Sequence, residues 1–386
     1  MSDRRLRRRS TMRSDADAVV ADSGPTDAEI HQGWMRAMLA GDFESAWRLS
    51  DLVIERRRRL GLSCADRPLH LRWVWDGRPL RGTVLVRCHH GLGDTIQFIR
   101  YVPALKERGV ERVVVQAQPA LIPLLARSMP EIDALIPLGE TVAEPPFDAD
   151  IESTELPHAL RTTLDTIPAA IPYLAVDSAC VAERGRPVPP PQAGEGEETT
   201  ARHTKPSPAC GGGLGGGNLQ APALLSQART QPALKVGIVW AAGAWHPARS
   251  LPLAALAPLA AIPGVALYAL QRGPERAQLF LPGAPPVENP DDDSDDVLDT
   301  ASLIRRLDLV VSVDTMVAHL AGALGAPVWT LLHDAADWRW MRDRADSPWY
   351  PTMRLFRQKS PGDWAGMVSE IVRDLSAIAN KRGKRE

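Results

Sequence analysis

The sequence predicts an α/β protein made of two parallel-sheet units, each with helices on both faces of its sheet. Short β-branched apolar runs alternate with stretches of helical periodicity from Thr83 to Glu152, and a second such series starts at Lys235. A proline- and glycine-rich segment over 178–232 separates the two series and predicts a linker, because it cannot supply a packed core. The 386 residues allow two or three domains, and 44% hydrophobic residues suffice for a sizeable core.

The chain begins with a basic segment, residues 1–25, that predicts a disordered arm. A solvated arm is the simpler interpretation, and contact with anionic lipid or nucleic acid is the alternative. The formal net charge of −2 argues against a general nucleic-acid-binding protein. Four cysteines without paired spacing favour a reducing compartment, the cytoplasm. No apolar run approaches the roughly 20 residues of a membrane helix, so any membrane contact is expected to be peripheral, at the inner face.

A helical hairpin is expected over residues 27–62. Ile30, Trp34 and Met38 form one helical stripe, and a second stripe follows the Gly41-Asp42 turn. The hairpin resembles the second half of a tetratricopeptide repeat. A solenoid needs about three such units. We therefore interpret this single unit as an appended cap, with weak protein binding as the alternative role.

The first βα unit, residues 68–177, has a glycine-bearing turn after its opening strand, Thr83 to Cys88. The turn lacks the dinucleotide fingerprint and the ending of a phosphate-binding P-loop, which argues against a dehydrogenase or a P-loop enzyme. Its two glycines, Gly91 and Gly93, allow a backbone to approach a ligand closely. Asp94 could act as a base towards a hydroxyl or could merely cap the helix. The nearby histidines give too few ligands for a metal, so none is predicted.

The second βα unit, residues 233–379, contains the run Leu309 to Val313, which predicts a strand that ends at Asp314-Thr315 and leads into a helix. Ligands bind outside the carboxyl ends of such strands, and a helix N-terminus attracts phosphate. Asp314, Thr315 and His319 are therefore candidate ligand contacts. The alternative is that Asp314 caps the helix and that His319 packs in the interior.

Two motifs together resemble the heptosyltransferase family. Residues 91–98, Gly-Leu-Gly-Asp-Thr-Ile-Gln-Phe, resemble its acceptor-side turn, and residues 313–327 resemble its nucleotide-sugar motif. The segments 337–340 and 346–358 are similar to the bacterial subgroup that carries tetratricopeptide repeats before the transferase domain. The resemblance covers residues 28–177 and 233–379.

This resemblance implies a GT-B fold, in which two Rossmann-like domains face a cleft. It also implies an inverting, metal-independent sugar transfer from a nucleoside-diphosphate sugar, with no other cofactor, to a glycan such as lipopolysaccharide core or to a protein. The implied site consists of the base Asp94, the acceptor-side residues His90, Gly91 and Gly93, and the donor-side residues Arg249, Gln271, Asp314, Thr315 and His319. Asp314 is expected to order its turn, because it would repel a phosphate.

Two departures from the family pattern leave other functions open. Met316 stands where the family usually has glycine, and the family has no counterpart of the insert over 178–232. A catalytically inactive binding or scaffold protein is the main alternative, and a sugar-nucleotide epimerase is another. Neither a nucleic-acid partner nor a transmembrane segment is expected.

Overall fold

The computed structural model describes residues 24–63, 67–68, 75–139, 143–176, 234–243, 246–289, 294 and 296–382. The strands within these residues are β1 (Thr83–Arg87), β2 (Arg112–Ala117), β3 (Ala134–Pro137), β4 (Ala149–Glu152), β5 (Leu234–Val239), β6 (Val265–Ala269), β7 (Leu309–Val313), β8 (Val328–Leu332) and β9 (Met353–Arg357). The α-helices are α1 (Asp27–Ala40), α2 (Phe43–Arg59), α3 (Leu92–Phe98), α4 (Val102–Glu107), α5 (Ile122–Ser128), α6 (Leu156–Ala159), α7 (Ala257–Ala260), α8 (Val297–Ile304), α9 (Met316–Ala323) and α10 (Trp364–Arg382).

The first unit is a four-stranded parallel sheet in the order β3-β2-β1-β4. Its central strands are buried almost throughout, as the continuous apolar runs of a two-sided sheet require. The predicted opening strand, Thr83 to Cys88, is present and ends one residue early, and the alternation of strands and helices expected from Thr83 to Glu152 is confirmed. The carboxyl end of β1 leads into the turn at Gly91, so this turn lies at the edge of the sheet where ligands bind in such folds.

The second unit is a five-stranded parallel sheet in the order β6-β5-β7-β8-β9. The predicted strand Leu309 to Val313 is confirmed as β7, and it is buried at every position. The edge strand β9 was not predicted, because Arg354 and Arg357 interrupt its apolar pattern. The Arg354 guanidinium lies over the rings of Trp329 and Phe356, 5.6 and 4.3 Å from their centroids, which lets the charged residue cover apolar surface.

The predicted helical hairpin is formed by α1 and α2. It starts with a capping box in which Thr26 and Glu29 bind each other's backbone N–H. The hairpin contacts both sheet units: the Trp47 indole N–H donates to the Thr162 carbonyl at 2.6 Å, and the backbone N–H of Arg342 donates to Leu39. The hairpin therefore covers the junction between the two units.

The predicted linker, 178–232, lies outside the described residues, as does the basic arm apart from its last two residues, 24 and 25. In the part of the chain that the structure describes, no helix is both long and apolar enough to cross a membrane.

Candidate functional site

The first turn places Asp94 at the start of α3. Gly91 has an extended backbone and precedes the helix, and its N–H donates to Asp94 Oδ2 at 3.0 Å. Asp94 thus closes the helix start as the capping alternative predicted, while its other oxygen points away from the turn. The His90 carbonyl accepts a hydrogen bond from the Gln118 amide at 2.6 Å, which fixes the acceptor-side turn from the neighbouring strand.

The second turn does not have the cap by Asp314 that the alternative interpretation of the sequence predicted. Thr315 is the residue that precedes α9, and its side chain makes no capping bond with the helix. The Thr315 hydroxyl lies 3.1 Å from the Ser312 hydroxyl instead. The alternative in which Asp314 caps this helix is therefore wrong, because Asp314 lies one residue too early in the chain. The first turn of α9 keeps the open arrangement that an anion can bind.

The two turns are in direct contact across the junction of the sheet units. A Cβ atom added to Gly93 would lie 2.9 Å from His319 Cδ2 and 3.5 Å from the Met316 Cα atom. Only glycine at position 93 allows the two helix starts to approach this closely. The structure therefore brings the predicted acceptor-side turn and the predicted donor-side turn to one place.

His319 is buried, as the alternative interpretation predicted. Its Nδ1 atom lies 2.9 Å from the Tyr350 hydroxyl, and its ring stacks on Trp340 with centroids 5.3 Å apart. Burial, together with the positive charge of the nearby Arg339, lowers the pKa of His319 well below its ordinary value. The ring is consequently neutral near pH 7, and any ligand contact would use its hydrogen-bonding capacity and not a charge.

Asp314 and Arg249 lie in contact with each other beside the start of α9. Asp314 is buried, and Arg249 donates to its carbonyl oxygen at 3.2 Å, with 3.9 Å between the guanidinium and the carboxylate. Burial raises the pKa of Asp314, an effect that Arg339 and Arg249 oppose. Asp314 thus holds the Arg249 guanidinium through its carbonyl oxygen, and its expected role in ordering the turn stays a prediction.

Arg339 was not predicted as a site residue, and it links the two turns. Its Nη2 atom donates to Asp94 Oδ1 at 2.7 Å, and its Nε atom lies 3.3 Å from Asp337 Oδ1. The 3₁₀ helix Trp338–Trp340 carries Arg339 on the second unit, so this ion pair crosses the junction. The arginine between two tryptophans was visible in the sequence, but nothing in its spacing identified a carboxylate 245 residues away as its partner.

Gln271 faces the backbone of its own unit. Its Oε1 atom accepts from the N–H groups of Trp240 and Ala241, and its Nε2 atom donates to the carbonyl oxygens of Ala241 and Arg272. This amide holds the end of β5 in place. A direct donor contact from Gln271 stays a prediction, and the contacts present make its role a supporting one.

Glu152 is a buried carboxyl group at the end of β4 that the sequence did not single out. Both of its oxygens accept from the backbone N–H of His89, at 3.1 and 3.2 Å, and Oε1 also accepts from the Ser153 hydroxyl. Burial raises the pKa of Glu152 to about 8. Glu152 supports the first turn as Gln271 supports the first strand of the second unit.

A buried arginine also fastens the two units together. Arg100 donates to the Trp349 carbonyl in the second unit and to the Tyr173 hydroxyl at 2.8 Å, and its guanidinium lies 4.6 Å from the centroid of the Tyr350 ring. An arginine within the apolar stripe that follows Ile96 is the sequence signal that could have identified it. The junction beside the site is therefore polar and ordered.

Two further features of this region concern aromatic residues and metals. Trp340 and Trp349 are fully buried, so they belong to the core. No three histidine, cysteine, aspartate or glutamate side chains of the described residues are grouped as a metal ion requires.

The chain has the GT-B architecture of two Rossmann-like units with their turns facing each other, and comparisons with known proteins agree with this description. No family model matches the chain. It is similar to the glycosyl transferase family 9 protein from Veillonella parvula DSM 2008, with a TM-score of 0.50 and 10% identity over 79% of this chain and 99% of that protein. This similarity shows a shared fold.

Two further proteins are similar to the chain. Protein FlbA from Caulobacter vibrioides is 25% identical over 331 residues, which cover 78% of this chain and 48% of FlbA. The chain thus spans about half the length of this curated relative. The Escherichia coli ADP-heptose lipopolysaccharide heptosyltransferase II gives a TM-score of 0.48 at 14% identity, over 78% of this chain and 99% of that protein.

Proposed function

We propose that this chain is a glycosyltransferase that moves a sugar, with heptose as the first candidate, from a nucleoside-diphosphate donor to a hydroxyl of a glycan or a protein. The observation that carries the proposal is the contact between the two turns. It sets the Asp94 carboxylate of one unit against Arg339 of the other unit, where a second cation, Arg249, lies beside the start of α9. A transferase needs this combination, because one group must accept a proton while others hold a departing diphosphate.

In the proposed reaction the acceptor oxygen attacks the anomeric carbon from the side opposite the diphosphate. The new carbon–oxygen bond forms as the bond to the diphosphate breaks, and that bond's electron pair leaves with the diphosphate. Asp94 takes the proton of the hydroxyl. The configuration at the anomeric carbon is inverted, because attack and departure occur on opposite faces.

The donor side of this proposal uses charge that the described residues supply. Arg249 is held by Asp314 beside the start of α9, and a planar guanidinium can bind two phosphate oxygens at once. The backbone N–H groups at the start of α9 also attract a negatively charged diphosphate. These groups can take the place of a metal ion at the diphosphate, in agreement with the metal-independent chemistry that the resemblance implies.

A binding protein without catalysis is the second candidate, and one observation favours it. A Cβ atom on Gly93 would meet His319 and Met316 within 3.5 Å, so part of the space between the turns is filled by the protein itself. Under this alternative the chain would bind a partner and would not turn over a nucleotide sugar.

A thermal-shift screen with ADP, GDP, UDP, CDP and dTDP separates the two candidates. A ligand at a hundred times its dissociation constant stabilises a protein by about 2.7 kcal/mol. We expect one of these nucleotides to raise the melting temperature and Arg249→Ala to weaken that nucleotide by about 10- to 100-fold, the cost of one charge-assisted contact. The matched control is Arg373→Ala, which removes an exposed arginine from α10 of the same unit.

His319→Ala tests the buried residue in the same assay. We expect it to lower the free energy of unfolding by about 2 kcal/mol or more, because it removes the packing on Trp340 and the bond to Tyr350. Normal nucleotide affinity in the folded variant would remove His319 from the donor site. No response of the wild-type protein to any of the five nucleotides would favour the binding-protein candidate.

A further inference from the structure

Arg339 joins the two sheet units. Its guanidinium binds Asp94 of the first unit, and its backbone carbonyl accepts the Trp349 indole N–H at 2.9 Å. The side chains of Arg339 and Asp94 are only 14% and 22% exposed. An ion pair shielded to this degree is screened less by solvent than a surface pair, so it contributes more to the contact between the units.

The backbone around Arg339 is fixed by its neighbours. Trp338 packs edge-on against Trp34 of the hairpin, with centroids 5.6 Å apart, and lies nearly parallel to Phe98 of α3 at 6.4 Å. These contacts hold the segment from two sides. The guanidinium itself stands on a flexible stem of methylene groups, so it can change partners while the backbone stays in place.

Asp94 has both oxygens engaged in this state. Oδ2 accepts from the Gly91 N–H, and Oδ1 accepts from Arg339. An acceptor hydroxyl that donates its proton to Oδ1 must therefore compete with a guanidinium that already occupies the position. A base that is covered in this way cannot act on the acceptor until the arginine moves.

The donor diphosphate is a group that can draw the arginine away. Arg249 donates to the carbonyl oxygen of Asp314 just before α9, and Trp340, the chain neighbour of Arg339, stacks on His319 of the same helix, so both cations lie near this helix start. A guanidinium binds phosphate oxygens as readily as carboxylate oxygens, and with the same planar geometry.

We propose, on the basis of the function proposed above, that Arg339 exchanges Asp94 for the donor diphosphate and so uncovers the base only when the donor is bound. Binding would then be ordered, with the donor before the acceptor. The exchange also assigns Arg339 as a second phosphate-binding residue beside Arg249. The hairpin gains a role in the same step, because Trp34 supports the segment that carries Arg339.

Competition for one guanidinium has a consequence that can be measured without any sugar transfer. If Asp94 and the diphosphate compete for Arg339, removing the charge of Asp94 must strengthen diphosphate binding. A loss of the supposed catalytic base would then increase nucleotide affinity. A purely structural ion pair predicts unchanged or weaker binding, since loosening the junction would not favour a ligand.

The experiment is a calorimetric titration of the full chain with ADP, GDP and UDP in turn. We expect Asp94→Asn to bind the preferred nucleotide about tenfold more tightly than wild type and Arg339→Gln to bind it about tenfold more weakly. In the double variant the gain from Asp94→Asn should disappear. Asp346→Asn is the matched control, because it removes an exposed carboxylate that binds Arg344 within the second unit, and it should leave affinity unchanged.

Arg339→Lys serves as a second variant in case Arg339→Gln does not fold. It keeps the charge but loses the planar fork, so we expect an affinity between those of wild type and Arg339→Gln. Equal affinities of wild type and Asp94→Asn would overturn the exchange while leaving the proposed transferase intact. A failure of the wild-type chain and every variant to bind any of the three nucleotides would overturn the proposed function together with the exchange.

Discussion

The two turns at the candidate site are built on the same strand–turn–helix pattern and are completed in opposite ways. In the first turn Asp94 reaches back to the Gly91 N–H and closes the start of α3 with a carboxylate. In the second, the Thr315 side chain makes no capping bond, and the start of α9 stays open. A closed turn presents a negative group and an open one attracts an anion. One structural element thus supplies both the proposed base and the proposed diphosphate site.

The two units also differ in the buried polar side chain that supports each of them. Glu152 holds the first turn through the His89 N–H, and Gln271 holds the end of β5 through Trp240 and Ala241. Both groups accept hydrogen bonds from backbone N–H groups in a buried place. Only Glu152 can change its charge, so only the first support is expected to depend on pH.

The largest expected effect comes from removing the negative group of the closed turn. Asp94→Asn should lower turnover by roughly 100-fold or more, the usual scale for a general base, because the amide keeps the shape of the side chain but cannot take the proton. The measurement is sugar transfer with the nucleotide sugar identified by the binding screen. Asp346→Asn should retain wild-type turnover, and near-normal turnover by Asp94→Asn would exclude Asp94 as the base.

The sequence predicted most of the fold because strands and helices leave local patterns. The apolar runs at Val84 and Val310 and the glycine turn before Asp94 are local signals of this kind, and each appears where it was expected. The contacts that complete the site are not local. Asp94 meets Arg339 245 residues further along the chain, and Arg100 meets Trp349 at a separation of 249 residues. Such contacts follow only from the packing of the two units.

The failed prediction for Asp314 has a related cause. An aspartate directly before a helical stripe usually caps that helix, and the sequence does not reveal whether the helix begins one residue later. Here Thr315 takes the capping position, and Asp314 turns inward towards Arg249. A one-residue shift therefore changed a surface cap into a buried support for a cation.

The comparison of Glu152 with Gln271 gives a prediction of intermediate size, which concerns how stability depends on pH. Burial raises the pKa of Glu152 from 4.5 to about 8, so the folded state holds a proton that the unfolded chain releases between these values. The stability associated with this proton is complete below about pH 4.5 and is lost as the pH rises through about 8. From pH 6 to pH 8.5 the wild-type protein should lose about 2 to 3 kcal/mol more stability than Glu152→Gln, as measured by urea unfolding.

Gln271→Glu is the matched variant for this test. It introduces a titratable group into the second support, which is also buried, and it should add a loss of stability with the same sign. Parallel stability profiles of wild type and Glu152→Gln would show that Glu152 does not carry a raised pKa. Glu152 would then be ionised throughout this pH range, and the two supports would differ in charge but not in their dependence on pH.

The smallest expected effect concerns the residue that makes the second turn least like the first. Met316 stands at the first position of α9, where the resembled family usually has glycine, and its Cα atom lies 3.5 Å from the position that a Cβ atom on Gly93 would take. Met316→Gly should strengthen nucleoside-diphosphate binding by about threefold, since it opens space at the helix start, and should lower stability by about 0.5 to 1 kcal/mol through glycine's greater conformational freedom. Met316→Ala separates the two causes, because it removes most of the side chain but keeps the backbone restricted. Equal gains in affinity for both variants would assign the effect to side-chain bulk. A gain for the glycine variant alone would assign it to close approach of the backbone. Weaker binding by both variants would mean that the methionine side chain supports the ligand.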